Sequence, residues 1–284
     1  MRYKIGEVAK ILGISTDLIR YYEKKGVVKP KKDPVNNYRY YEVSDVNLLI
    51  DCIWYKKMGF SIEDIGRMSN VGSYDELVVS LVDRSEEISK DIKYKEMLFL
   101  RMQGLTDSAA RVREGVGICD VKSNREFLYY LNRDNEVFSG EAELRDLNEE
   151  WSLFMPFTKR LFYIDEKALA GESDDYRWGY SIGMKYASYF SVKAASPVMK
   201  MPENLCVHAT FASYSKDGFS ARRLDFMKEY AKEKGLRLKG FAFGNLVCSA
   251  AEENTAQENA AMARAANENL LKGYFEAWMP VEQA

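Results

Sequence analysis

Hydrophobic residues near the N-terminus recur at the three- and four-residue spacing of a short amphipathic helix. The positions that carry this pattern are Ile5, Val8, Ala9, Ile11 and Leu12. Gly13 predicts the end of this helix, and Ser15 is typical of the residue that caps the start of another. The second helix continues to Lys25 and ends at Gly26. Two short helices joined by a tight turn predict a helix-turn-helix.

Residues 29–41 continue this pattern with two prolines, the turn-prone pair Asn36-Asn37 and an aromatic, basic run, Tyr38-Arg39-Tyr40-Tyr41. This composition predicts a β-hairpin wing beside the two helices. In such an arrangement Arg39 offers a guanidinium group to a phosphate, which positions DNA more than it reads bases.

The first turns of the second predicted helix hold Thr16, Asp17 and Arg20. Residues in the first turns of a recognition helix meet base edges and phosphates in the major groove. We therefore expect these three side chains to lie at a DNA interface.

A long helix is predicted from Tyr74 to about Arg113, a stretch without proline. Apolar residues follow a three- and four-residue spacing along it, at Val78, Leu81, Ile88, Ile92, Phe99 and Met102. This pattern fits a coiled-coil seam and equally fits an amphipathic helix packed on its own domain.

The remaining chain shows the order strand, helix, strand, strand twice. The first set is predicted at Glu126–Leu131, Glu141–Met155, Leu161–Ala168 and Tyr176–Ala187, and the second at Cys206–Ser213, Phe219–Lys234, Gly240–Ser249 and Tyr274–Val281. The second set has extra residues within Ala251–Leu270, which indicate a solvent-facing helical excursion or, alternatively, a lid over a ligand.

The predicted fold class is therefore α+β, with a winged helix-turn-helix, a long dimerising coiled-coil helix and a duplicated β-α-β-β domain. The predicted domains are residues 1–73, 74–116 and 117–284, the last with halves at about 121–190 and 203–284. A chain of 284 residues agrees with more than one domain.

Charge is divided unevenly along the chain. Residues 1–41 hold ten Lys and Arg against four acidic residues, whereas the remainder holds 31 against 39. The chain thus has a basic N-terminal region, called here the head, and an acidic remainder, called here the body. This division indicates a polyanionic partner for the head alone. No run of about 18 apolar residues and no secretory signal is evident, so a cytoplasmic location is expected.

Metal and nucleophilic chemistry have little support in the sequence. Cys52, Cys119, Cys206 and Cys248 lie far apart, and His208 is the single histidine. A Cys206–His208 dyad is conceivable, but the alternation around Val207 indicates a strand with one side chain in water. We therefore expect no metal, no cofactor and no catalytic residue.

The order of parts in the head resembles the MerR family of bacterial transcription regulators. The matching segments are Tyr3-Lys4-Ile5-Gly6-Glu7-Val8-Ala9, Ile19-Arg20-Tyr21-Tyr22-Glu23, Tyr38-Arg39-Tyr40-Tyr41, Asp45-Val46-Asn47-Leu48-Leu49-Ile50 and Met58-Gly59-Phe60-Ser61-Ile62-Glu63-Asp64-Ile65.

The resemblance places Arg20 and Tyr21 on the recognition helix and Tyr38, Arg39 and Tyr40 on the wing. It implies that Lys56 and Lys57 contact the DNA backbone. It implies a homodimer that binds promoter double-stranded DNA and activates transcription by RNA polymerase through distortion of an overlong promoter spacer. Metal-sensing relatives carry cysteines at both ends of a loop after the dimer helix, whereas this chain has Cys119 alone there.

The duplicated body resembles the gyrase-inhibitor-like effector-binding domain of multidrug-sensing regulators, in architecture and in the final segment Tyr274–Val281. That resemblance implies a cleft for amphipathic, often cationic, aromatic molecules, with aromatic walls and a buried acid. Glu276 is the acid we select, because only the second half carries a carboxylate there, with Ile182 at the matching position. The wall candidates are Trp151, Phe154, Tyr180, Tyr186, Phe243, Tyr274 and Trp278.

Three alternatives remain open at this point. Glu276 could instead be a half-exposed strand residue paired with a lysine. The body could be a small-molecule hydrolase in which Glu276 acts with Tyr274 or Tyr180 as base and orienting hydroxyl. Finally, bulky residues such as Trp178, Trp278 and Phe243 could fill the pocket of a regulator that has no ligand.

Overall fold

The computed structural model describes residues 2–34, 37–70, 73–214, 219–251 and 271–283. The chain divides into two compact units, Met1–Lys95 and Glu96–Ala284. Within the described ranges, no helix is both long and apolar enough to cross a membrane. The excursion predicted at 251–270 lies outside these ranges except for Ala251.

Over its described residues, the N-terminal unit contains four helices, a short hairpin and the start of a fifth helix. The elements are α1 (Ile5–Leu12), α2 (Thr16–Lys24), β1 (Lys31–Lys32), β2 (Arg39–Tyr40), α3 (Val43–Lys57), α4 (Ile62–Asn70) and α5 (Tyr74–Gly115). Their core is formed by buried side chains that include Val8, Ile19, Tyr22, Leu49 and Ile65.

The predicted turn between the first two helices is confirmed. Gly13 has a φ of 66°, a left-handed conformation that glycine adopts without steric cost. The Ser15 hydroxyl then accepts a hydrogen bond from the backbone N–H of Leu18 at 3.1 Å, which caps α2. Strands β1 and β2 pair antiparallel and form the predicted wing.

Helix α5 leaves most of its predicted seam uncovered in the single chain. Val78, Ile88, Ile92, Phe99 and Met102 are exposed, whereas Leu81 packs on the N-terminal core. Packing on its own domain therefore does not account for this stripe.

In the part of the C-terminal unit that the structure describes, ten strands form an antiparallel sheet. Its strands are β3 (Cys119–Ser123), β4 (Phe127–Asp134), β5 (Val137–Phe138), β6 (Thr158–Ile164), β7 (Arg177–Gly183), β8 (Met199–Met201), β9 (Leu205–Tyr214), β10 (Leu236–Leu238), β11 (Ala242–Ala251) and β12 (Leu271–Gln283). The order across the sheet is β3-β9-β12-β11-β6-β7-β4-β5, with β10 beside β12 and β8 beside β4.

Helices α6 (Ala142–Ser152) and α9 (Asp225–Glu233) contribute side chains to two buried clusters on one face of this sheet, which we call the helical face. Phe162 and Phe275 lie in one cluster with Met227 of α9. Tyr130 lies in the other with Trp151 of α6. The opposite face, called here the second face, carries a separate cluster that includes Tyr129, Leu161 and Phe243.

The strand-helix-strand-strand order can be traced twice, as β4-α6-β6-β7 and β9-α9-β11-β12, with the short strands β5 and β10 and the short helices at Glu166–Ala170 and Ala221–Leu224 as additional elements. Two predicted strands were too long. The end of Leu161–Ala168 is helix α7 (Glu166–Ala170), which begins because Asp165 accepts a hydrogen bond from the Ala168 N–H. The end of Tyr176–Ala187 is helix α8 (Met184–Tyr189), which follows β7 directly.

Candidate nucleic-acid interface and ligand cavity

A basic cleft of about 430 Å³ lies between α2 and the wing. Its lining residues are Arg20, Glu23, Lys24, Val28, Lys29, Pro30 and Arg39. The structure thus brings together Arg20 and Arg39, which the sequence singled out, with Lys24 and Lys29, which it did not. Four cations against one carboxylate make this cleft attractive to a phosphate backbone.

Glu23 holds the wing against α2. Its carboxylate lies 3.3 Å from Arg39 Nε and also accepts a hydrogen bond from the hydroxyl of the buried Tyr41. Burial, followed by this hydrogen bond, raises the pKa of Tyr41 above its ordinary value. The phenol therefore stays protonated and keeps its role as donor, and Arg39 is fixed at the rim of the cleft.

The other predicted DNA contacts on α2 and the wing are accessible. Asp17 pairs with Arg20 at 3.0 Å, and both side chains are largely exposed. Tyr21 and Tyr38 are exposed, whereas Tyr40 is half-buried beneath the guanidinium of Arg2.

The remaining predicted contacts lie at element ends. Thr16 is the first residue of α2, and Lys56 and Lys57 are the last two of α3. Lys56 donates to the carbonyl of Phe60 at 3.3 Å. The cleft lining does not include these three residues.

The C-terminal unit holds a cavity of about 300 Å³ on the helical face. Aromatic and polar side chains share its wall. The lining residues are Asn132, Arg133, Glu136, Phe138, Arg160, Trp178, Gly179, Tyr180, Ser213, Phe219, Leu246, Ser249, Gly273 and Phe275. Its volume is at the lower end of the range for small-molecule pockets.

The eight ligand candidates from the sequence fall in three places. Tyr180 lines the cavity. Trp151, Phe154 and Tyr186 pack in the cluster beside α6 and α8. Glu276, Tyr274 and Trp278 lie on one face of β12, at every second residue, and Phe243 of β11 is opposite Trp278.

The strand register separates Glu276 from Tyr180. Across the sheet, Glu276 of β12 is opposite Asn245 of β11, and Asn245 is opposite Leu161 of β6. Leu161 in turn is opposite Gly179 of β7. Since paired residues share a face and consecutive residues alternate, the side chain of Tyr180 lies on the other side of the sheet. The structure therefore does not bring this acid together with that hydroxyl.

Glu276 pairs with an arginine of α5. It is buried, and its carboxylate accepts a hydrogen bond from Arg111 Nη2 at 2.9 Å. Burial acts to raise the pKa of Glu276, but the Arg111 hydrogen bond and the charge of Lys159 outweigh it and hold the pKa below its ordinary value. Burial also lowers the pKa of Lys159.

This pair predicts a pH-dependent stability effect for Glu276→Gln. A carboxylate whose pKa is lowered in the folded protein stabilises the fold fully at pH values above its ordinary pKa. This stabilisation is lost as the pH falls through the lowered pKa. We expect the variant to lose about 1–2 kcal/mol of unfolding free energy at pH 7, since Arg111 is half exposed, and progressively less as the pH falls below the ordinary carboxylate pKa. Urea unfolding followed by tryptophan fluorescence measures both.

Glu282→Gln is the matched control, because Glu282 lies on the same strand in an exposed pair with Arg237. It is expected to change stability by less than about 0.5 kcal/mol. An equal loss in the two variants at pH 7, or a Glu276→Gln loss that does not shrink in acid, would contradict the assigned role of the pair.

Cys206 and His208 are both buried, which corrects the expectation that one of them faces water. His208 pairs with Asp120 at 2.7 Å and packs 4.4 Å from the ring of Trp278, so its face of β9 is covered. Burial raises the pKa of the Cys206 thiol to about 12, which leaves it protonated at neutral pH. Among the described residues, no group of three His, Cys, Asp or Glu side chains is placed to hold a metal.

Sequence comparison identifies the type of the N-terminal region. Residues 3–70 match the family model described as MerR HTH family regulatory protein. The HTH-type transcriptional regulator CueR of Escherichia coli O6:H1 is 37% identical over 67 residues, which are 24% of this chain and 50% of that protein. Residues 3–70 are therefore a helix-turn-helix region of the MerR type.

Two further comparisons concern another curated relative and a solved structure. A probable heavy metal-dependent transcriptional regulator of Haemophilus influenzae is 39% identical over 64 residues, 22% of this chain and 50% of that protein. The chain thus spans about half the length of these curated relatives. A cryo-EM structure of an EcmrR–DNA complex aligns with 99% of this chain and 100% of that chain, at 15% identity and a TM-score of 0.37.

Proposed function

We propose that this protein is a cytoplasmic, ligand-responsive transcription regulator that binds promoter double-stranded DNA. The observation that carries the proposal is the basic cleft formed by α2 and the wing within a MerR-type region. Recognition helices of this kind enter the major groove while a neighbouring element contacts the backbone. Arg20 is assigned to the groove, and Arg39, Lys24 and Lys29 to phosphates.

The proposal includes a homodimer formed through α5. Val78, Ile88, Ile92, Phe99 and Met102 form an exposed apolar stripe on this helix, and a second copy would cover it. Two-fold symmetry would then present two recognition helices to a pseudo-palindromic site.

In the proposed mechanism the C-terminal unit acts as a gyrase-inhibitor-like effector domain that binds an amphipathic aromatic molecule without turning it over. The cavity on the helical face supports this role through its aromatic wall. The resemblance implies an often cationic ligand, with Glu276 selected as the acid that would complement it. Glu276 lies on the second face and pairs with Arg111, so it does not support a cation in this cavity.

The effector is proposed to bias the dimer between two geometries of promoter DNA, one of which RNA polymerase can use. Distortion of DNA costs on the order of several kcal/mol, so ligand binding must favour one state by a comparable amount. A metal effector, suggested by the name of the Haemophilus influenzae relative, lacks a ligand cluster among the described residues.

The DNA-binding part of the proposal is tested by Arg39→Ala. The substitution removes a phosphate contact and releases the wing from Glu23. We expect about tenfold weaker binding to every duplex sequence, and a plot of log affinity against log salt whose slope is smaller by about one. Fluorescence anisotropy with labelled duplexes across a salt series measures both quantities.

Arg145→Ala serves as the control, because Arg145 is exposed on α6 in the C-terminal unit. It should leave affinity and slope unchanged. A slope in Arg39→Ala equal to that of the parent protein would remove Arg39 from the phosphate contacts.

A further inference from the structure

The charges around the cavity on the helical face favour an anion. Among the described lining residues, Arg133 and Arg160 are basic and Glu136 is acidic. Glu136 is exposed, and its carboxylate already accepts a hydrogen bond from the hydroxyl of Tyr176 at 2.6 Å. The described part of the wall therefore carries one net positive charge, and its carboxylate is already engaged.

The positive charge of Arg133 rests against neutral rings. Its guanidinium carbon lies 5.2 Å from the ring centre of Trp178 and 5.4 Å from that of Phe138. Cation–π contact orients the guanidinium but brings no counter-charge. No carboxylate among the described residues forms a salt bridge with Arg133 or Arg160.

The cavity wall also contains donors that lack acceptors. Arg133 Nε and Trp178 Nε1 are buried and have no hydrogen-bond partner within the described ranges. A buried donor without an acceptor destabilises the structure. A carboxylate offers acceptors to the guanidinium groups of the wall, whereas an ammonium group has only donors.

We propose that this cavity binds a flat aromatic carboxylate, with its ring among Trp178, Phe219 and Phe275 and its carboxylate at Arg133 and Arg160. This proposal rests on the proposed function and names its effector class as anionic. The aromatic wall supplies apolar burial, and the two guanidinium groups supply charge-assisted hydrogen bonds of the kind that arginine makes to carboxylates.

Three probes with one ring system and different charges test the proposal. They are 1-naphthylacetate, the neutral 1-naphthylacetamide and the cationic 2-(1-naphthyl)ethylamine. Isothermal titration of the full-length protein at pH 7 and constant ionic strength should show the acetate binding about tenfold more tightly than the amide, with the amine weakest. The order of the three affinities isolates the effect of charge from that of the ring.

Arg160→Gln is the first variant, because Arg160 is exposed and its loss should not disturb folding. It should weaken the acetate about tenfold and leave the amide within about twofold. Arg145→Gln, outside the cavity, should change neither probe. Unchanged thermal unfolding and tryptophan fluorescence of each variant confirm that the cavity is intact.

The amine binding as tightly as the acetate, equal losses of acetate and amide in Arg160→Gln, or no binding of any probe would each overturn the anionic assignment. These results are separate from the proposed function, because DNA affinity is measured without a probe. Failure of DNA binding with intact acetate selectivity would overturn the regulator and retain the anion site.

Discussion

Replacement of Gly244 by alanine is expected to lower the unfolding free energy of the C-terminal unit by about 3 kcal/mol. Gly244 lies in β11, between β6 and β12 at the centre of the sheet. A methyl group there would meet the carbonyl oxygen of Glu276 and the ring of Phe162. Displacement of either group costs much free energy, since one is backbone in a neighbouring strand and the other is a fully buried core ring.

Urea unfolding followed by tryptophan fluorescence measures this loss, because three of the four tryptophans, Trp151, Trp178 and Trp278, belong to this unit. Gly140→Ala is the matched control, since nothing lies within 4 Å of the added methyl group and the backbone has no positive φ. Equal stability of the two variants would show that the strands do not approach as closely as described.

Arg20→Ala is expected to weaken binding to the specific DNA site by about 10- to 100-fold, with a much smaller loss on random duplex DNA. Arg20 lies on the recognition helix at the cleft, and its side chain is 60% exposed. Within the described part of the chain, Arg20 pairs with Asp17, and such an exposed pair contributes little to stability. The substitution therefore tests base contact without a confounding loss of fold.

Competition anisotropy with specific and random duplexes separates the two effects. Arg39→Ala is the informative comparison, since it is expected to weaken both duplexes alike. If Arg20→Ala also weakened both duplexes by the same factor, Arg20 would be a non-specific phosphate contact rather than a base contact.

The head of the molecule was predictable because its signals are local. A left-handed turn favours glycine, and a helix start favours a hydroxyl cap, so Gly13 and Ser15 mark the turn within a few residues. The contributions of Lys24 and Lys29 to the cleft were not predicted, because they depend on how the wing packs against α2. The available signal was the excess of Lys and Arg in residues 1–41, and this excess does not distinguish one lysine from another.

The site in the C-terminal unit was less predictable because it depends on partners distant in sequence. Alternation along β12 correctly grouped Glu276 with Tyr274 and Trp278, but the pattern cannot tell which face of a sheet bounds a cavity. Arg111, which pairs with Glu276, lies 165 residues earlier in the chain, and no local pattern links the two. Of the residues that line the cavity, the sequence singled out Tyr180 but not Arg133 or Arg160.

We propose that the MerR-type region directs this protein to a particular DNA sequence. This role is tested by selection from a random double-stranded library with the full-length protein, with Arg20→Ala selected in parallel. We expect the parent protein to enrich a sequence with two inverted half-sites and the variant not to enrich it. No enrichment by the parent protein, or the same enriched sequence with both proteins, would contradict sequence-specific binding by this region.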